Sequence, residues 1–456
     1  MIHKNLFTLN FRRIRFFNRL LMVISGAIVL LFIFHILNYM YVEESEWSRK
    51  LWHDYYETES IDNIFVGSSH VYCSVNPNML DSINGMENYN ISVSSMRMNG
   101  VYYAIREVAD DHALKNVYVE VYYGVLAGED GDCLGAYSTM KNWYLYDYLE
   151  PSCNKIFFLC SMRKSDKLLD TVFPFIRYRE HIFDASYIKS NLKNKATDDY
   201  KNYKVRAEYD TYMVEYQDKG YLYDTNEMSE YDLLYGQEVN LQSEGLMPYN
   251  TDSYLRKTIE YCQEKGINIV LYVSPLYASQ VLSAIDYDLY NQQVLSIAND
   301  YGIPFYDFNL CKSEYLDITH KEYYKNAGHL NSRGADLFTP FLWEVLSGNY
   351  EENQKFFCQT YEEKIHLDMP ETYGVYYYDN GEDGINFTVA SNRETEMEYR
   401  IVFTPYEGEQ RIIQDFSENK DFVLSYDECG TLAVVSRIKA QPQQMQSLEM
   451  ECNITK

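Results

Sequence analysis

Ile61-Asp62-Asn63-Ile64-Phe65-Val66-Gly67-Ser68-Ser69-His70 is an apolar run that enters a Gly-Ser-Ser turn. It reads as a strand that stops abruptly. A serine at such a strand end, on a tight turn that glycine permits, is lifted out of the sheet with its hydroxyl exposed, as an attacking oxygen requires. Gly and Ser also dominate ordinary polar turns, so the stretch acquires a function only if the chain supplies partners.

Outward from this stretch, strand and helix patterns alternate. Residues 87–92 read as a second strand, followed by a helix with Val101, Ile105 and Val108 on one face. Residues 117–121 form a third strand rich in β-branched side chains. The alternation breaks between 127 and 250, where Tyr, Asp and Lys abound around Pro151, Pro174 and the basic Arg177-Tyr178-Arg179. That span reads as a helical and looped insertion placed to roof a site. The pattern then resumes. Leu255, Ile259 and Cys262 mark a helix that Gly266 caps, and a strand covers 267–273. Val294, Ile297, Ala298 and Tyr301 mark a helix closed by Gly302. The next strand, 303–308, is peripheral because Pro304 cannot donate to a ladder, and a last helix covers about 332–346. Five strands separated by helices predict an α/β domain over 61–348. Its core is a doubly wound, mostly parallel five-stranded sheet of flavodoxin-like type, with reacting groups at the carboxyl ends of the strands.

The flanks differ in character. Leu20 to Leu37 is apolar apart from Ser25 and His35, long enough to span a bilayer. Arg12, Arg13, Arg15 and Arg19 precede it and Glu43, Glu44 and Glu46 follow, so the basic segment 1–19 is expected in the cytoplasm. Residues 20–41 are then an uncleaved single-pass anchor in the plasma membrane, 42–60 a juxtamembrane linker, and the remainder extracellular. After 349 the pattern turns to short alternating strands with turns at Asp379-Asn380-Gly381, Glu407-Gly408-Glu409 and Cys429-Gly430, which predicts a small β-sandwich over 349–456. The acidic loop 379–384 reads as a solvated hairpin tip, since it lacks the ligand spacing of a calcium loop.

A net charge of -27 argues against nucleic acid and against a polybasic grip on lipid. Nine cysteines without paired spacing read as isolated buried thiols, with no metal cluster and no disulfide framework. No cofactor is expected.

The serine needs a base, and His329 stands in Asn326-Ala327-Gly328-His329-Leu330-Asn331-Ser332-Arg333-Gly334-Ala335, a loop at the carboxyl side of the sheet. Gly67-Ser68-Ser69 with His329-Leu330-Asn331 and Gly334-Ala335 resembles the SGNH (GDSL-like) hydrolase superfamily. The likeness runs over about 60–348 and is strongest to the membrane-anchored branch that O-acetylates exopolysaccharide or D-alanylates teichoic acids. The resemblance implies Ser69 as nucleophile and His329 as general base. The position of the orienting acid is taken by Asn326, with Asp317 or Asp307 as alternative acids and Asp317-x-x-His320 as an alternative pair. It implies an oxyanion hole from the Ser69 backbone N–H with Ser92 or Ser95; the third-block asparagine is missing, Tyr122-Tyr123-Gly124 standing in its place. Asn90 reads as a turn residue.

The expected function is that of an extracellular, membrane-tethered esterase or O-acyltransferase working through a Ser69 acyl-enzyme. Its expected partners are a cell-surface polysaccharide or an acyl donor, with a membrane-bound acyltransferase beside it. The alternative is a catalytically weak relative that serves as a binding or assembly component of an envelope-polymer modification system.

Overall fold

The computed structural model describes residues 6–128, 131–205, 214–228, 234–235, 239–240, 246–379, 384–425 and 428–452. The chain divides into two units: Met1–Glu46 with Asp166–Arg206, and Trp47–Ser165 with Ala207–Lys456.

The smaller unit is built on one helix, α1 (Leu6–Tyr41). Its Arg15–Tyr41 portion is long and apolar enough, at mean hydropathy 2.8, to cross a membrane or to act as a signal sequence. The last carbonyls of any helix lack partners within it. Here Lys195 donates to the Tyr39 carbonyl at 3.0 Å, and Asn191 and the Tyr187 hydroxyl donate to the carbonyls of Met40 and Tyr41. An ammonium at that end also complements the helix dipole. Residues 166–205, expected to help roof a site, therefore group with the apolar helix, because their donors satisfy its terminus.

In the larger unit, β1 (Asn63–Gly67), β2 (Asn88–Ser92), β3 (Asn116–Glu120), β4 (Asn268–Val273) and β5 (Phe305–Asp307) form one sheet in the order β5-β4-β3-β1-β2. All four pairings are parallel. Every residue of β1 and β2 is buried, as a sheet covered on both faces requires. The covering helices include α2 (Ser69–Ser74), α3 (Met98–Asp111), α4 (Tyr249–Lys265), α5 (Tyr287–Tyr301) and α6 (Ser332–Ser347). They bury the apolar stripes read from the sequence: Val101, Ile105 and Val108; Leu255, Ile259 and Cys262; Val294, Ile297 and Ala298. Gly266 and Gly302 close α4 and α5 in left-handed geometry, at φ 70° and 64°. β5 is the edge strand that Pro304 predicts.

One register device was not foreseen. Asn63 donates to Asn88 at 2.9 Å, Asn116 donates to Asn63 at 2.7 Å, and Asn268 donates to Asn116 at 3.1 Å. These residues are paired partners at the amino ends of β2, β1, β3 and β4. Their side-chain amides run a ladder across the sheet, and any slip of one strand would break it.

Three boundaries differ from expectation. The span 42–60 contains a helix, Glu46–Glu57, whose Leu51, Trp52 and Tyr55 are buried in the α/β core, so it is no simple linker. Tyr350–Asn353, Gln354–Phe356 and Tyr361–Leu367 are short helices where strands were expected, and Phe356 and Phe357 pack on Phe341 and Phe308 of the same core. The β-sandwich begins at Thr372, with one sheet of Thr372–Asp379, Ile385–Ser391 and Asp421–Leu424 and another of Met397–Pro405, Arg411–Ser417, Gly430–Ile438 and Gln441–Cys452. The first sheet also takes in Leu234–Tyr235, a piece of the 127–250 excursion, as a parallel strand. Residues 380–383 of the acidic loop lie outside the described residues. Among the cysteines, Cys153 and Cys160 are exposed rather than buried.

Candidate active site

β1 is flanked by β2 on one side and β3 on the other, so the chain reverses its direction of winding there and leaves a crevice at the carboxyl ends. Gly67 is required at this point. A Cβ would stand 2.8 Å from Cβ of Glu120 and 3.1 Å from a Val71 methyl. Ser68 caps α2, and Ser69 is its first residue, with its own backbone N–H among the helix's unsatisfied donors.

Across the crevice, Tyr324–Asn326 and His329–Leu330 form a two-stranded ribbon that carries the histidine into place. Ser69 Oγ lies 2.7 Å from His329 Nε2. His329 Nδ1 lies 2.9 Å from Asn326 Oδ1, which also accepts the Gly328 N–H at 3.1 Å. Three residues separated by up to 260 positions thus meet in a hydrogen-bonded row. Burial, and then the charge of Lys325, push the His329 imidazole down to about 3, so it rests neutral with a free electron pair facing Ser69.

Lys325 is itself anchored. Its ammonium lies 3.2 Å from Asp224, whose backbone N–H donates to Ser332 Oγ at the start of α6. It also reaches the Cys73 thiol, which burial pushes up to about 11. The hairpin of Val214–Gln217 and Tyr221–Asp224 is therefore the part of the excursion that supports the histidine ribbon.

The oxyanion candidates separate. Gly67 pairs with Ser92 at the end of β2, so the turns after the two strands leave the sheet side by side. Ser92 is buried, and its hydroxyl has no hydrogen-bond partner among the described residues. Ser95 lies in the turn closed by Met96 N–H on Val93 O, at φ 53°. That left-handed backbone is one that glycine adopts freely and serine does not, so Ser95 occupies a glycine-like position. Tyr72, one turn after Ser69, brings its hydroxyl within hydrogen-bonding reach of the Ser69 and Ser94 side chains.

The alternative acids are placed elsewhere. Asp307 is buried and accepts from the Tyr287 hydroxyl at 2.7 Å and from Asn291 at 2.8 Å, a structural network at the end of β5. Asp317 accepts from Thr319, and His320 rests beside the Tyr323 ring, so neither is joined to Ser69. Asn90 is a buried β2 residue rather than a turn, and donates to the Val75 carbonyl at 2.8 Å. Among the described residues no group of three His, Cys, Asp or Glu side chains is placed to hold a metal.

Sequence reasoning overlooked what lies behind the row. His70 stacks on His329 with ring centroids 4.6 Å apart and planes within 11°. Glu120 is buried at the end of β3, against Ser68. Both signals were visible, as a histidine directly after the serine and as a charge at the end of an apolar strand.

No protein-family model and no curated protein matches this sequence. Among solved structures, the chain is similar to a Bacteroides fragilis protein provisionally described as an acylhydrolase, at 11% identity and a TM-score of 0.31. The match covers 67% of this chain and 98% of the other. A likeness of that size carries no inference about chemistry.

Proposed function

We propose that the chain is a serine esterase or O-acyltransferase of the SGNH type. The observation that carries this reading is the 2.7 Å contact of Ser69 Oγ with His329 Nε2, the ring being held by Asn326. His329 takes the Ser69 proton as Oγ bonds to the carbonyl carbon of an ester. The tetrahedral oxyanion is met by the Ser69 N–H and by the donors around Ser95 and Tyr72. Collapse breaks the ester C–O bond, and the proton on Nε2 passes to the leaving alcohol. Water or an acceptor hydroxyl then attacks the Ser69 ester by the same route in reverse.

The acceptor we assign is a cell-envelope polysaccharide. Tyr72 has Trp47 edge-on at 6.2 Å, so aromatic surface suited to sugar rings adjoins the serine. The acidic chain disfavours a polyanionic acceptor. With α1 as an uncleaved anchor and its basic end inside, this chemistry belongs on the outer face of the membrane, beside a membrane-bound acyltransferase. A membrane-impermeant maleimide tests the side: the exposed Cys153 and Cys160 should react in intact cells.

A fluorophosphonate probe tests the chemistry. The full chain in detergent should be labelled at Ser69, and Ser69→Ala should abolish labelling. Absence of label, together with no hydrolysis of p-nitrophenyl acetate, would sink the catalytic reading. It would favour the second one, a binding or assembly component, for which the amide at Asn326 is the specific motive.

A further inference from the structure

Glu120 is 3% exposed at the end of β3, yet no cation pairs with it among the described residues. One carboxylate oxygen accepts from Ser68 Oγ at 3.0 Å, and the other has no hydrogen-bond partner among the described residues. Ser68 Oγ in turn lies 2.9 Å from His70 Nδ1. The His70 ring, 5% exposed, is clamped between Tyr122, at 4.1 Å between centroids, and the parallel face of His329. An acid, a hydroxyl and an imidazole are costly to bury, and apolar side chains would fill the same space without that cost. Meanwhile the His329 ring, which must become a cation when Ser69 gives up its proton, has an uncharged amide at its edge.

We propose that Glu120, acting through Ser68 and His70, supplies the counter-charge of the His329 base, delivered to the face of the ring instead of its edge. The inference rests on the Ser69–His329 reading above. Ionised Glu120 takes the Ser68 hydroxyl proton as a hydrogen bond, and Ser68 Oγ then accepts the His70 Nδ1–H. That polarisation enriches the His70 ring in electrons, and a cation stacked on an electron-rich face is stabilised. When Glu120 is protonated the chain reverses. The carboxyl donates to Ser68, Ser68 donates to His70 Nδ1, the imidazole proton shifts from Nδ1 to Nε2 so that the ring stays neutral, and the enrichment is lost. Glu120 and His70 are thus positioning residues.

Burial pushes the Glu120 carboxyl up to about 8, against the opposing Ser68 hydrogen bonds, so the reversal falls just above neutral pH. The ionisable groups facing Glu120 are the phenols of Tyr122, Tyr272 and Tyr290, all held protonated by burial far above that range. Those facing His70 are His329, Lys325 and the Tyr122 phenol, which burial holds protonated, and burial keeps His70 neutral.

The test is the second-order rate of fluorophosphonate labelling of the full chain in detergent, followed across pH. The wild type should show a rise centred near pH 8. Glu120→Gln should remove that rise and lower the alkaline rate about tenfold, the worth of one unit of imidazole basicity. His70→Phe keeps a stacking ring without nitrogen and should do the same, so it carries the test if Glu120→Gln fails to fold. Adding Asn326→Asp to Glu120→Gln should restore the rate, because the counter-charge returns at the ring edge; a merely structural role predicts no such rescue. A folded Glu120→Gln that keeps both rate and rise overturns the inference and leaves the Ser69–His329 reading intact. A wild type unlabelled at every pH overturns both.

Discussion

Asn326 and His329 are locked to each other through one oxygen. Asn326 Oδ1 accepts from Gly328 N–H at 3.1 Å and lies 2.9 Å from His329 Nδ1. A backbone N–H can only donate, so it fixes the amide with its oxygen toward the ring. The ring must then carry its proton on Nδ1 and turn the bare Nε2 to Ser69. The amide supplies orientation and tautomer, and leaves out the charge.

Asn326→Asp should add that charge without moving the ring. A carboxylate within hydrogen-bonding distance raises an imidazole by about 1–3 units. The His329 ring titration, followed by NMR on isotope-labelled histidine, should therefore move up from about 3 by that amount. Fluorophosphonate labelling should accelerate in parallel. An unmoved titration would show that the 326 side chain is not what faces Nδ1.

Lys325 and Asp224 bias the same ring in opposite directions. The ammonium depresses the imidazole and the carboxylate lifts it. Lys325→Met should raise the His329 titration. Asp224→Asn should lower it further, and should also cost about 3–5 kcal/mol of stability by leaving a buried ammonium unpaired. Opposite signs from two neighbours 3.2 Å apart distinguish this account from general loosening of the loop, which would move both titrations toward the ordinary value of 6.5.

The asparagine ladder is remote from this chemistry. Asn63 is fully buried and uses both its donor and its acceptor on neighbouring strands. Asn63→Leu should leave the Asn116 amide unsatisfied and cost about 1–3 kcal/mol in urea denaturation. The ladder lies at the amino ends of the strands, opposite the crevice, so Ser69 labelling of the folded variant should be unchanged. A loss of labelling equal to that in Ser69→Ala would contradict this separation.

The sheet was legible because Val101, Ile105 and Val108, and the corresponding residues of α4 and α5, repeat at helical spacing, and because Gly266 and Gly302 mark where those helices must end. Ser69 and His329 were legible because each sits in a short local pattern, the serine just past the carboxyl end of β1 and the histidine in the Asn326–Ala335 stretch. The support behind them was not. Glu120, Ser68 and His70 meet only through the parallel pairing of β1 and β3, and a single buried charge looks no different in sequence from a solvated strand end. The helix Glu46–Glu57 was missed for a related reason. Its charged residues conceal three buried side chains on one face, and the adjacent apolar span made a linker the natural reading. The span 127–250 carries no single periodicity because it serves several structures: residues 166–205 cap the apolar helix, 214–224 support the histidine ribbon, and 234–235 extend a β-sheet.

Burial of Glu120 also sets a pH dependence of folding, with a sign that can be checked without any substrate. Its folded value is about 8 against an ordinary 4.5, so the folded chain binds this proton more tightly than the unfolded one. The resulting stability is complete below the ordinary value and is lost as pH rises through the folded value, at most about 1.4 kcal/mol per pH unit. Glu120→Gln removes the proton and its linkage. The stability of the variant relative to wild type should therefore climb from about pH 5 to about pH 8 and level off above. His329, depressed to about 3, works the other way: its contribution is present above 6.5 and is lost as pH falls toward 3. That contribution is common to both proteins and cancels in the difference. Urea denaturation of the two full chains in detergent at several pH values measures it, and a difference that stays flat across the range would mean that Glu120 is not held protonated in the fold.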